Sequence, residues 1–112
     1  EVILKNITKG TILATDLKIA TSLPDKIAGL LKKSNPPSLL FKTRFGMHTF
    51  FLKNSIDILV MDNEYIIKKA STIKPNRLFF YNLQYPYIIE THTGTIKKSK
   101  TEIGDKVSIS KH

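Results

Sequence analysis

The chain has 112 residues, no cysteine and a formal net charge of +9. A chain of this length can bury a core, and we expect one domain over residues 1–112. The lack of cysteine excludes disulfides, thiolate metal ligands and cysteine nucleophiles within it, and no apolar run approaches the ~20 residues of a membrane-spanning helix. Because the chain starts at Glu1 rather than at methionine, the sequence leaves open whether a signal or anchor precedes it, and the compartment with it.

The N-terminal third predicts short strands followed by one helix. Residues 1–8 form the first predicted strand, and residues 11–20 alternate with a slip at Thr15-Asp16 that indicates a turn or bulge between two strands. Residues 22–33 have a capping serine, a proline in the first turn and leucines and an isoleucine on one face, which predicts a short helix. We expect this helix to cover a sheet.

The middle of the chain predicts a hairpin. Residues 39–41 favour a short strand, and Ile56 to Met61 is apolar on both alternating faces, which indicates a strand buried on both sides. Asp62-Asn63-Glu64 supplies the turn residues, and residues 65–72 form the returning strand.

The C-terminal third predicts a strand at residues 87–92, a short helical turn within residues 95–101 and a last strand at 106–110. Many short strands with regular turn signals and one helix are typical of a mainly β fold, either a β-sandwich or a partly open barrel. The sequence shows no internal repeat or linker.

Several short motifs in a fixed order resemble a known family. They are Gly29-Leu30, Met47-His48-Thr49-Phe50, Ser55-Ile56-Asp57, the strand ending in Asp62, Ile89-Glu90 with Gly94, and Gly104-Asp105. In this order they resemble the family catalogued as domain of unknown function number 192, over about residues 13–110. Ser55 replaces the proline that is usual there. The resemblance implies a compact, mostly β domain of sandwich or jelly-roll type, and it implies no reaction.

Asp57 is the first candidate functional residue, because it lies at the start of an apolar strand on the same face as Leu59 and Met61. A buried carboxylate needs hydrogen-bond donors, and we expect them from Arg44, Lys53 or loop amides near Thr49. Asp57 is either a structural tie between loop and strand or a ligand-facing carboxylate, and the structural role is the common one.

His48 is the second candidate, since a neutral imidazole can donate to a carboxylate, move protons or bind a metal. Glu90 and His92 share one face of a predicted strand, so a cluster of His48, Asp57, Glu90 and His92 is conceivable. The spacing matches no known metal motif. We therefore predict no metal site and no cofactor.

Residues 74–87 interleave cations with aromatic residues, a composition that suits stacking on bases or sugars or a long loop pinned by its own aromatic side chains. Our first hypothesis is a non-catalytic binding or accessory module for a small polar or anionic molecule or a sugar. The ligand would lie between the 48–57 segment and the 73–86 loop. The candidate ligand-binding residues are Arg44, His48, Lys53, Asp57, Arg77, Phe79, Tyr81 and Glu90.

Two alternatives stay open. Residues 1–67 hold nine basic and six acidic side chains, whereas residues 68–112 hold nine and three. The basic C-terminal half therefore suits binding of single-stranded nucleic acid, with an affinity that falls steeply with salt. The second alternative is an enzyme that uses His48 with Asp57 or Glu90 as an acid–base pair. The chain has no Gly-x-Ser-x-Gly elbow and no glycine-rich phosphate loop, and its oligomeric state cannot be read from sequence.

Overall fold

The computed structural model describes residues 2–20, 37–42, 47–48, 55–74, 78–79 and 84–111. The helix expected at residues 22–33 lies outside them. Within the described residues the strands are β1 (Val2–Asn6), β2 (Thr11–Ala14), β3 (Lys18–Ala20), β4 (Leu39–Lys42), β5 (Met47–His48), β6 (Ile56–Met61), β7 (Ile67–Ile73), β8 (Leu78–Phe79), β9 (Tyr87–His92) and β10 (Val107–Lys111). One short helix, α1 (Thr95–Ser99), lies between β9 and β10.

The strands form two larger sheets and a two-stranded ribbon. The three-stranded sheet has the order β10-β1-β2, the five-stranded sheet has the order β3-β4-β9-β6-β7, and β5 pairs with β8. All pairs are antiparallel except β3 with β4. The mainly β prediction is confirmed in its sandwich form, because the two larger sheets of the described part do not close into a barrel.

The main core lies between the two larger sheets. It combines Leu4 and Val107 from the three-stranded sheet with Leu40, Leu59 and Ile89 from the five-stranded sheet, all of them buried. The opposite face of the five-stranded sheet is buried as well, since Leu39, Ile58, Val60 and Ile88 are fully enclosed. The expectation that β6 is covered on both faces is therefore confirmed.

The β6–β7 turn forms where its residues predict it. The Asp62 carboxylate accepts hydrogen bonds from the N–H groups of Glu64 and Ile66, at 2.9 and 3.0 Å. Tyr65 takes a left-handed conformation with φ of 60°, a position that glycine usually occupies. Its ring packs edge-on against Tyr87 at a centroid distance of 5.0 Å, so packing against β9 stabilises a residue that is locally unfavourable there.

Two features of the fold had no counterpart in the sequence interpretation. The parallel pairing of β3 with β4 joins segments separated by a long connection, and the two-residue strands β5 and β8 are too short to show a period. In β5 and β8, Met47 is opposite Phe79 and His48 is opposite Leu78.

Candidate functional site

The register of β9 against β6 places the two buried carboxyl groups of the five-stranded sheet on opposite faces. Asp57 lies opposite Thr91, and Ile58 lies opposite Glu90. Directly opposed residues of an antiparallel pair share a face, and successive residues of a strand alternate. Asp57 therefore faces the main core and Glu90 faces the other side of the sheet.

Asp57 is 1% exposed, and each of its carboxyl oxygens accepts a hydrogen bond. The Thr72 hydroxyl donates to Asp57 Oδ1 at 2.7 Å, and the Ile96 N–H donates to Asp57 Oδ2 at 2.8 Å. Helix α1 has no side-chain cap of its own, because Gly94 is at its N-cap position. Asp57 thus ties β6 to β7 and accepts a free amide of the first helical turn, a structural role.

The donors expected for Asp57, namely Arg44, Lys53 and loop amides near Thr49, lie outside the described residues. Within the described residues, Thr72 and the Ile96 amide each donate to one oxygen of Asp57. Thr72 is the direct neighbour of Asp57 across the β6–β7 hairpin, so the hairpin register could have identified it. The Ile96 amide lies 39 residues away and carries no sequence signal.

Glu90 is as deeply buried as Asp57 but differs from it in its hydrogen bonding. It is 2% exposed, and neither carboxyl oxygen has a hydrogen-bond partner among the residues that the structure describes. Leu39 on β4 and Ile58 on β6 lie directly opposite it, and both are fully buried. Burial raises the pKa of the Glu90 carboxyl from 4.5 to about 7, because an apolar environment disfavours the charged form.

The row that contains Glu90 runs across the whole sheet. From β3 to β7 it consists of Lys18, Leu39, Glu90, Ile58 and Ser71. Lys18 is exposed and Ser71 is half-buried, and each is separated from Glu90 by one apolar residue. The carboxyl group therefore has apolar neighbours on both sides within its row.

The ribbon of β5 and β8 joins the two segments between which a ligand was expected, since His48 and Phe79 belong to its paired backbones. The remaining cationic and aromatic candidates, Arg44, Lys53, Arg77 and Tyr81, lie outside the described residues. Their part in binding stays a prediction.

The cluster of His48, Asp57, Glu90 and His92 is wrong as a single site, because Asp57 and Glu90 occupy opposite faces of the sheet. His92 shares the face of Glu90 through its pairing with Ile56, but its side chain is exposed. Among the described residues, no three histidine, aspartate or glutamate side chains are grouped so that they could hold a metal ion. Nor does any described helix have the length and apolar character needed to cross a bilayer.

A second buried polar group, the Asn6–Asp105 cluster, lies between β1 and the segment after α1. It consists of Asn6, Lys9, Ser99, Thr101 and Asp105. The Asn6 amide donates to Asp105 Oδ2 at 2.9 Å and to Thr101 Oγ1 at 3.0 Å. Lys9 Nζ donates to Asp105 Oδ1 at 3.1 Å, and the Glu102 N–H donates to Asp105 Oδ2 at 2.9 Å. Both carboxyl oxygens of Asp105 therefore accept hydrogen bonds within the cluster.

Two solved structures share the fold of this chain. A protein of unknown function from Novosphingobium aromaticivorans superposes with a TM-score of 0.71 at 14% identity, over 96% of this chain and 82% of its own. A protein from Sinorhizobium meliloti described as a candidate transcription regulator gives a TM-score of 0.72 at 18% identity, over 96% and 90%. At these identities the similarity establishes the fold alone.

A scan against models of known protein families found no match, but individual relatives are clear. The UPF0127 protein of Pyrococcus horikoshii is 32% identical over 98 residues, covering 82% of this chain and 85% of that protein. The UPF0127 protein of Thermococcus sibiricus is 31% identical over 109 residues, covering 91% and 71%. This chain therefore belongs to the UPF0127 family, an uncharacterised protein family.

Proposed function

We propose that this protein is a non-catalytic binding module for a small polar ligand, and that the ligand contacts Glu90. The observation that carries the proposal is the Glu90 carboxyl group, 2% exposed and without a hydrogen-bond partner among the described residues. A buried polar group without a partner costs free energy, and nearly all such groups in native proteins are paired. A bound molecule that donates hydrogen bonds to Glu90 removes that cost.

The pairing of β5 with β8 supports a ligand site between the two segments to which these strands belong. It connects the segment that contains His48 with the loop that contains Phe79, the two segments from which we expect ligand contacts. Arg44, Lys53 and Arg77 would supply charge and Tyr81 an aromatic wall. Asp57 no longer belongs to this proposal, because its two oxygens are already hydrogen-bonded within the protein.

The test is a thermal-shift screen of small polar molecules on the intact chain and on Glu90→Gln, with the exposed Glu64→Gln as the matched control. A ligand at about one hundred times its Kd stabilises the folded state by about 2.7 kcal/mol, which corresponds to about ten degrees in Tm for a protein of this size. We expect shifts in the wild type and in Glu64→Gln and none in Glu90→Gln. Compounds that shift all three proteins equally would contradict the proposal.

Binding of single-stranded nucleic acid is the second candidate, favoured by one observation. Lys97, Lys98 and Lys100 are exposed within four residues at and after α1, and such clusters attract phosphates. A gel-shift assay at low salt, with the wild type and a Lys97→Glu/Lys98→Glu variant, tests it. We expect a complex that weakens with salt and is lost in the variant, and the absence of any complex at low salt would refute it.

An acid–base enzyme is the third candidate, with Glu90 rather than Asp57 as its carboxyl group. A carboxyl pKa raised to about 7 suits proton transfer at neutral pH. The pair would be Glu90 with His48. A measured separation between the two side chains beyond reach of a hydrogen bond or one bridging water would eliminate it.

We also infer that the UPF0127 relatives and the family catalogued as domain of unknown function number 192 are the same group. The support is the order of motifs in this chain, from Met47-His48-Thr49-Phe50 through Ile56-Asp57 and Ile89-Glu90 to Gly104-Asp105. Alignment with the Pyrococcus horikoshii protein tests the inference. A relative that lacks most of these residues at matching positions would contradict it.

A further inference from the structure

We propose that the Glu90 site takes a planar small molecule that presents two parallel N–H donors. Amidinium and guanidinium groups have such an edge, and so does an aminopyrimidinone ring such as that of guanine. The inference rests on the proposed function, because it names the chemical class of the ligand that binds at Glu90.

Both carboxyl oxygens of Glu90 are in the same condition. Oε1 and Oε2 are each buried and each lack a hydrogen-bond partner among the described residues. A hydroxyl group or a single N–H donor would satisfy one oxygen and leave the other unpaired. Two parallel N–H groups satisfy both at once, the geometry in which carboxylates are bound most strongly and most specifically.

The residues beside Glu90 are apolar. Leu39 and Ile58, directly opposite it on the adjacent strands, are fully buried, as is Ile88 two residues earlier on β9. These side chains donate no hydrogen bonds and offer apolar contact to the body of a ring. An apolar environment also strengthens a hydrogen bond between charged groups, so the surroundings favour a flat apolar molecule with one polar edge.

Few side chains of this chain could donate to both oxygens of Glu90 at once. Only arginine carries two parallel N–H donors on a planar group, and the chain has two arginines, Arg44 and Arg77. The cation that shares the row of Glu90, Lys18, is a point donor, and it is exposed beyond Leu39. Arg44 and Arg77 are therefore the internal competitors that an experiment must separate from an external ligand.

The experiment uses NMR of the intact chain, following the side-chain carboxyl carbon resonance of Glu90. The probes are benzamidine, with a cationic two-donor edge, guanosine, with a neutral two-donor edge, and benzylamine as a one-point cation of similar size. We expect benzamidine or guanosine to shift the Glu90 resonance and to bind at least about tenfold more tightly than benzylamine. Glu90→Gln should weaken that binding by about tenfold or more, and Glu64→Gln should leave it unchanged.

Three outcomes would overturn the inference. In the first, benzamidine and guanosine at millimolar concentration leave the Glu90 resonance unmoved. In the second, benzylamine binds as well as benzamidine. In the third, Arg44→Gln or Arg77→Gln moves the Glu90 resonance in the absence of any probe, which would show that the chain supplies the donors itself.

The inference and the proposed function can fail separately. If the two-donor probes do not bind but other molecules from the thermal-shift screen shift the Glu90 resonance, the binding function stands and the ligand class is wrong. If no molecule of either set acts through Glu90, both fail.

Discussion

Glu90 and Asp105 are two buried carboxyl groups at different places in the sandwich, and their surroundings are opposite. Asp105 is 4% exposed and receives hydrogen bonds from Asn6, Lys9 and the Glu102 amide. Glu90 is 2% exposed, between Leu39 and Ile58, with no partner among the described residues. Equal burial therefore coincides with a satisfied group in one place and an unsatisfied one in the other.

The pKa values of the two groups follow from this difference. Burial raises the pKa of Asp105, but hydrogen bonds from Asn6, Glu102 and Lys9 outweigh burial and leave that pKa below its ordinary 3.8. Burial acts alone on Glu90 and raises its pKa to about 7. Hydrogen-bond donors, rather than depth of burial, therefore decide whether the pKa of a buried carboxyl group is lowered or raised.

Asp105→Ala is expected to have the largest effect, a loss of about 3–4 kcal/mol from the free energy of unfolding. Removing this carboxylate leaves the buried Asn6 amide and the donors of Lys9 and Glu102 without their acceptor, and each such group costs about 1–3 kcal/mol. Urea denaturation measures the change. The control is Glu102→Ala, whose side chain is 73% exposed, with an expected loss below about 0.5 kcal/mol. Equal losses in the two variants would contradict the claim that the hydrogen bonds of the Asp105 carboxylate stabilise the fold.

Glu90→Met is expected to stabilise the protein by about 3 kcal/mol at pH 8, the free energy that corresponds to a pKa raised from 4.5 to about 7. Between pH 4.5 and about pH 7, Glu90 keeps its proton in the folded wild type but has lost it in the unfolded chain. Its stability therefore falls as the pH rises through this window.

The measurement is urea denaturation of the wild type and Glu90→Met from pH 4 to pH 8. Their difference should be small near pH 4 and complete above pH 7, whereas the exposed Glu64→Met should show no such trend. Asp105 has the opposite sign, since its lowered pKa contributes stability above 3.8 that is lost as the pH falls. A Glu90 difference independent of pH would show that the wild-type carboxyl is paired in solution.

Asp57→Ala should cost about 2 kcal/mol, because it removes the acceptor of the Thr72 hydroxyl and of the Ile96 amide at the start of α1. Asp57 resembles Asp105 because both are buried and hydrogen-bonded, although Asp57 lies on the same strand pair as Glu90. Thr72→Val removes one of the two bonds and should cost about 1 kcal/mol. Denaturation of both variants checks the order, and a stabilising Asp57→Ala would place this residue with Glu90 instead.

Lys9→Met is the smallest expected effect, a loss of about 1 kcal/mol. The lysine head group is partly exposed and donates to Asp105 at 3.1 Å, but the Asn6 amide and the Glu102 N–H remain. Added salt should reduce the loss, because it screens the charge pair. A loss as large as that of Asp105→Ala would mean that the ion pair, rather than the buried amide, holds the Asp105 carboxylate.

Much of the fold was predictable because it depends on local patterns. The apolar residues on both faces of Ile56–Met61 predicted a doubly covered strand, and Asp62-Asn63-Glu64 predicted the turn that follows it. The strand at Tyr87–His92 was predicted with the bounds that the structure has. These features follow from side-chain alternation and turn geometry over a few residues.

The sequence predicted single residues of the candidate site but not which residues surround them. The sequence predicted that Asp57 is a buried carboxylate, which the structure confirms, whereas the burial of Glu90 was not predicted. Which residues oppose them depends on the pairing of β6 with β9, whose segments lie some thirty residues apart in the chain. A shift of that register by one residue would reverse the relation between their faces.

Alternation along the chain was thus sufficient to predict a mainly β fold and the buried position of Asp57. The long-range pairing established what surrounds each acid: donors from β7 and α1 around Asp57, donors from β1 and its turn around Asp105, and apolar neighbours around Glu90. The physical reason is that burial is encoded in a residue and its near neighbours, whereas a hydrogen-bond partner is brought by whichever distant segment the sheets place beside it.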